Sequence, residues 1–157
     1  MMKKIAVMAF LGCLTMTAVV VTLHSIAGGN GKEIAEYKEK IVENARKILK
    51  SVDVCQSRPE ERPDRFEGSN SDPILMAEIQ KIRDLVRGIV KALGEISSRL
   101  GDISGDKMII LTGYLKLVGD AAEEIDNATG KARTGMGIKD ELKNIRECAQ
   151  IIIKPVK

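Results

Sequence analysis

The sequence predicts an all-α protein, an antiparallel helical bundle of four main helices with a long linker after the first. Apolar residues recur at alternating spacings of three and four in separate segments, which is the periodicity of an α-helix with one buried face. The composition also favours helices, because it is rich in Ile, Leu, Ala, Lys and Glu and contains only 4 prolines in 157 residues. At this length, with 44% hydrophobic residues, we expect one domain with a sizeable core.

Residues 1–27 are set apart from the bundle. They carry two lysines at positions 3 and 4, followed by an uncharged, mostly apolar stretch of 19 residues, which is the pattern of an export segment. Three interpretations stay open: cleavage after Ala27, lipidation of Cys13, or an uncleaved membrane anchor. Each places residues 28–157, the predicted helical-bundle domain, outside the cytoplasm. We expect this exported domain at the cell surface, associated with the outer membrane.

The first helix is predicted over about 32–52, where one face carries apolar residues at spacings of 7, 4, 3 and 4. These residues are Ile34, Ile41, Ala45, Ile48 and Val52. The helix ends before a charged stretch with two prolines, which cannot continue it. The sequence therefore predicts a polar linker over 57–72 within the bundle domain.

The second helix is predicted to begin at Asp72 and Pro73, an N-cap followed by proline at the first helical position. Its apolar residues alternate at spacings of four and three until Gly101, which is typical of a bundle seam. They are Leu75, Ile79, Ile82, Val86, Ile89, Leu93, Ile96 and Leu100.

Two more helices follow. The third is predicted over about 105–126 and the fourth over about 138–154, because residues 127–130 and 135–137 interrupt the pattern. The inward residues predicted for the third are Met108, Leu111, Leu115, Val118, Ala122 and Ile125, and for the fourth Ile138, Leu142, Ile145, Ala149 and Ile152.

The composition argues against several classes of function. Trp is absent, Phe and Tyr total four, and His24 is the only histidine. That leaves no stacking platform for nucleic acid and little imidazole chemistry for metals or acid–base catalysis. We therefore expect no enzymatic activity, no cofactor, no metal site and no nucleic-acid partner.

Cys55 and Cys148 are the only cysteines outside the export segment. Two such residues commonly pair in an oxidising compartment, so the sequence predicts a disulfide between them. The bridge would close a loop of about 93 residues and contribute roughly 4–5 kcal/mol. Two separate buried thiols are the alternative.

Two stripes of basic residues are candidate binding surfaces. On the fourth helix, four cations lie within about 80° of one another and away from the apolar face, with two more in the preceding connection. These are Lys139, Lys143, Arg146 and Lys154, preceded by Lys131 and Arg133. On the second helix, Arg83, Arg87 and Lys91 repeat every four residues. Each stripe is either a solvated helix face or a surface that binds a polyanion through several salt-sensitive charge pairs.

Four segments occur in a distinctive order along the chain. They are Asp72-Pro73-Ile74-Leu75-Met76-Ala77, Ser97-Ser98-Arg99-Leu100-Gly101, Tyr114-Leu115 and Lys143-Asn144-Ile145-Arg146-Glu147. In these segments and their order, over roughly 32–154, the chain resembles the decorin-binding adhesins of Borrelia spirochaetes. The resemblance implies a helical-bundle surface lipoprotein that binds host decorin through its glycosaminoglycan chains. It also implies binding residues in the last helix and in the linker, here Arg58, Arg62 and Arg65.

The function predicted from the sequence is therefore a surface adhesin for the sulfated glycosaminoglycan chains of a host proteoglycan, held at the membrane by a lipid or an N-terminal anchor. Two alternatives remain open. One is a helical surface protein that binds a host serum protein, such as a complement regulator. The other is a coat antigen without a specific ligand.

Overall fold

A computed structural model describes residues 29–57, 72–103, 105–134 and 137–154. It contains the helices α1 (Gly29–Gln56), α2 (Pro73–Ser98), α3 (Asp106–Ala132) and α4 (Ile138–Ile153), with a single 3₁₀ turn over Leu100–Asp102 after α2. No strand occurs in these ranges, and the predicted four-helix bundle is confirmed. The export segment, Cys13 and the linker arginines Arg58, Arg62 and Arg65 lie outside the described residues.

The four helices are arranged as a ring in which each packs against the next and α4 returns to α1. Ion pairs between helices show that neighbouring helices run antiparallel. Arg99, just past the end of α2, binds Glu33 near the start of α1 at 2.7 Å. Arg83 near the start of α2 reaches Asp126 near the end of α3 at 3.2 Å. Consequently α1 and α3 are diagonal to each other, as are α2 and α4.

The core runs along the axis of this ring and is dominated by isoleucine. Every residue of the predicted α1 face is fully buried, and so is most of the seam of α2. The largest fully buried aliphatic side chains are Ile34, Ile41, Ile48, Ile79, Ile82, Ile89, Ile96, Leu111, Ile125, Ile145 and Ile152. Burial of each is worth roughly 1.5–3 kcal/mol, so the apolar stripes account for the bundle.

The start of α2 follows the sequence prediction. The carboxylate of Asp72 accepts a hydrogen bond from the Ile74 amide at 2.9 Å, and Pro73 occupies the first turn. Further along, Gly88 allows α2 to approach α1 closely, because a Cβ there would lie 2.7 Å from Nδ2 of Asn44.

The predicted end of the third helix is wrong. Residues 127–130 are helical, and α3 continues to Ala132. The reason is that Ala128, Thr129 and Ala132 extend the buried face, and the Thr129 hydroxyl donates to the carbonyl of Asp126 at 2.7 Å. Burial on this face outweighs the cost of about 1 kcal/mol for Gly130 in a helix.

Candidate functional site

The basic stripe of α4 lies on the outer side of the bundle. Gly137 precedes the helix in a left-handed conformation, with φ of 65°, that glycine adopts without strain. Leu142, Ile145, Ala149 and Ile152 then turn towards the core. The opposite side carries Lys139, Lys143 and Lys154, all exposed.

Two further cations lead into this stripe from the end of α3. Lys131 and Arg133 are both exposed, and Nζ of Lys131 lies 3.8 Å from a carboxylate oxygen of Glu141 on α4. The short connection between α3 and α4 therefore brings these residues to the start of the α4 stripe. We call the exposed set the α4 basic surface; it consists of Lys131, Arg133, Lys139, Lys143 and Lys154.

Arg146 has a different environment from its neighbours in the stripe. Its side chain is 31% exposed, and its guanidinium binds the Asp53 carboxylate at 2.5 Å and the Gln56 side-chain oxygen at 2.6 Å. Both partners lie at the end of α1. Arg146 thus connects α4 to α1 through both hydrogen bonds of its Nη2.

The α4 basic surface is not uniformly positive. Asp140 and Glu147 are exposed on the same helix and, at 100° per residue, border the lysines. An anion on this surface would have to follow the line of lysines rather than spread around the helix.

The stripe of α2 is in a separate place with a different charge balance. Because α2 and α4 are diagonal, the two stripes do not form one continuous surface. Arg83 pairs with Asp126 at 3.2 Å, and Arg87 pairs with Asp84 at 3.0 Å. Of this stripe only Lys91 has no ion pair with another described residue.

The predicted disulfide is not present in the structure. Cys55 and Cys148 lie on the adjacent helices α1 and α4, and both are buried thiols. Burial raises the pKa of Cys148 to about 11, and the nearby carboxylates of Glu124 and Glu147 add to the effect. The thiolate form of Cys148 is therefore scarce at neutral pH. In this structure the two cysteines correspond to the alternative interpretation, two separate buried thiols.

One buried group, the ammonium of Lys38, was not predicted from the sequence. Lys38 is only 8% exposed, and its Nζ lies 4.4 Å from the ring centroid of Tyr114 on the diagonal helix α3. Burial lowers the pKa of Lys38 to about 8, and the buried hydroxyl of Tyr114 has no hydrogen-bond partner among the described residues. The sequence does contain the signal, since Lys38 lies four residues after Ile34 and three before Ile41, on the apolar face.

The shortness of α4 explains how Lys38 can lie on the apolar face of α1. Antiparallel to α1, with Arg146 beside Asp53, α4 ends at Ile153 about two turns short of the level of Lys38. The aliphatic stem of Lys38 can therefore pack across the ring towards Tyr114 instead of against α4.

The described part of the chain contains no cluster of three or more His, Cys, Asp or Glu residues that could hold a metal ion. Nor is any of its helices long and apolar enough to cross a membrane.

Comparison with protein-family models, with curated proteins and with solved structures finds no match for the chain.

Proposed function

We propose that the protein is a surface-exposed adhesin that binds sulfated glycosaminoglycan chains of a host proteoglycan through the α4 basic surface. The observation that carries the proposal is the alignment of Lys139, Lys143 and Lys154 on one exposed helix face, joined at its start by Lys131 and Arg133. An extended sulfated chain is a ligand that can follow such a line. Outside a cell, sulfated glycosaminoglycans are the polyanions available in quantity.

The affinity in this proposal comes from several weak contacts together. Each exposed ion pair is worth about 0–1 kcal/mol, so no single lysine dominates and binding must weaken as salt rises. Arg146 holds α1 and α4 together and contributes to binding by positioning the helix. This separates it from the lysines of the α4 basic surface, whose side chains are exposed.

The test is a charge reversal that spares Arg146. The variant Lys139→Glu/Lys143→Glu/Lys154→Glu should elute from a heparin column well below physiological ionic strength, whereas the parent is retained above it. Its helicity and melting temperature should stay close to those of the parent, because the three side chains point away from the core.

A matched control changes the net charge by the same amount elsewhere. Lys40→Glu/Lys50→Glu/Lys116→Glu alters three exposed lysines on α1 and α3. The control should keep most of the parent's retention if the α4 basic surface is the site. Equal losses in the two triple variants would mean that heparin senses only net charge. Retention of the α4 variant equal to that of the parent would refute the proposal and favour a host serum protein as the partner.

A further inference from the structure

A second surface feature lies between α2 and α3, away from the α4 basic surface. The two helices leave an open groove there of about 640 Å³. Its floor is apolar and built largely from small side chains: Val86 and Val90 come from α2, and Gly119 and Ala122 from α3. Val90 is 54% exposed, although it is one of the large apolar residues. At Gly119 a Cβ would meet nothing within 4 Å, so the groove is open directly above the α3 backbone.

The two rims of the groove carry opposite charges. Arg87 and Lys91 line it on the α2 side, and Glu123 lines it on the α3 side. The helices run antiparallel with Arg83 beside Asp126, so one turn further along Arg87 lies level with Glu123. Neither Lys91 nor Glu123 forms an ion pair with another described residue. The monomer therefore presents a cationic edge, an apolar floor and an anionic edge side by side.

This arrangement is unsuited to a polyanion. The guanidinium groups of Arg83 and Arg87 are already paired with Asp126 and Asp84, and Glu123 would repel a sulfate lying along the groove. A surface with both signs of charge around an apolar centre instead fits a protein partner that carries the complementary pattern.

We infer that the groove is a self-association surface whose partner is a second copy of this chain. A two-fold axis that runs along the groove, parallel to the helices, places α2 of each copy over α3 of the other at the same height. Arg87 and Lys91 of each copy then face Glu123 of the other, and the two Val90 side chains cover the apolar floors. A two-fold axis across the helices would instead bring α2 over α2, where like charges meet.

The size of the groove sets the strength of the contact. Stable interfaces bury about 800 Å² per partner and involve about 20–30 residues on each side, far more than line this groove. The dimer is therefore weak and reversible in solution, and is favoured where copies are concentrated. In the inferred arrangement both copies have the same orientation along the helix axis, so neighbouring chains fixed at one surface can form it.

The first test is the concentration dependence of the mass of the full-length chain in a mild non-ionic detergent, measured by sedimentation at protein concentrations up to about 1 mM. The parent should shift towards a dimer as concentration rises. In Gly119→Leu the Cβ meets no protein atom within 4 Å and the rest of the side chain enters the groove, so the variant should weaken association by about tenfold or more. Gly113→Leu is the matched control, since Gly113 also lies on α3 with open space around it but does not line the groove, and it should behave as the parent does.

The second test identifies the occupant by charge. In Arg87→Glu/Lys91→Glu both rims are acidic, and in Glu123→Lys both are basic, so each variant alone should remain monomeric. Mixed together under two different tags, they should form a heterodimer that co-purifies. The inference is overturned if the parent stays monomeric throughout, if Gly119→Leu associates as the parent does, or if the mixed variants do not co-purify.

Discussion

Replacing the buried lysine with methionine should make the protein more stable. At pH 7 Lys38 is charged. Its pKa of about 8 lies below the ordinary value of 10.5, which means that burying the charged side chain lowers the free energy of unfolding by about 3 kcal/mol. The contact 4.4 Å from the centroid of Tyr114 returns about 1–2 kcal/mol as a cation–π interaction. Methionine keeps the length of the aliphatic stem and removes the charge. Lys38→Met should therefore raise the free energy of unfolding by about 1–2 kcal/mol at pH 7.

The pH dependence of this gain is the sharper part of the prediction. The destabilisation from Lys38 is fully present below its folded pKa of about 8 and disappears as pH rises towards its unfolded pKa of about 10.5. The parent should accordingly recover about half of this 1–2 kcal/mol relative to the variant between pH 7 and pH 9.5. Titration of Tyr114 and Cys148 affects parent and variant alike, so the difference between the two isolates Lys38.

Urea unfolding followed by circular dichroism at both pH values measures the effect. Lys40→Met is the control: Lys40 is exposed, and its Nζ lies 5.1 Å from the ring centroid of Tyr37. That variant should change the free energy of unfolding by less than about 0.5 kcal/mol. A loss of about 1 kcal/mol or more in Lys38→Met at pH 7 would show that the contact with Tyr114 outweighs desolvation, and would refute the reasoning.

Three other predictions concern contacts that the structure defines. Arg146→Ala should lower the free energy of unfolding by about 1 kcal/mol in a urea titration, because it removes hydrogen bonds from a charged group to two partly exposed α1 side chains. A change below about 0.3 kcal/mol would mean that these contacts do not stabilise the fold. Iodoacetamide should leave Cys148 unmodified in the native protein at pH 8 and alkylate it rapidly in urea, as mass spectrometry of its tryptic peptide would report, since burial suppresses both access and the thiolate. Rapid native alkylation would place it at the surface. Gly94→Ala should raise the melting temperature because the new methyl group meets nothing and alanine favours the helix by about 1 kcal/mol, whereas Gly88→Ala should gain less or lose, because its Cβ would crowd α1.

The bundle could be predicted from the sequence because isoleucine recurs at helical spacing along the buried faces of its helices. All five residues predicted for the α1 face are fully buried, and the Asp72 cap lies where the Asp-Pro pair indicates. The end of α3 was predicted wrongly because Asn127, Thr129 and Gly130 are typical of a break. The spacing of the buried face nevertheless continues through them, since Thr129 and Ala132 follow Ile125 at intervals of four and three.

The candidate site was likewise predicted only in part from the sequence. Helical spacing correctly places Lys139 and Lys143 on an exposed face of α4. Spacing could not show that Arg146, one turn further on, reaches Asp53 on another helix, since that contact depends on how α4 packs against α1. The charge pattern of α2 likewise predicts a cationic stripe, but the carboxylates that neutralise it include one supplied by α3. The sequence alone therefore did not predict which residues on other helices pair with these charged side chains.

The central claim is that the α4 basic surface binds a sulfated glycosaminoglycan, and direct titration of the parent protein tests it most closely. Size-defined dermatan sulfate should bind at about 0.15 M salt, and the affinity should fall steeply as the ionic strength is raised and the Debye length shortens from about 8 Å. Chemically desulfated chains of the same length should bind far more weakly, because they lack most of the anionic groups that the lysines contact. Calorimetry that finds no binding of the sulfated chain at this ionic strength, or equal binding of the desulfated chain, would contradict the account.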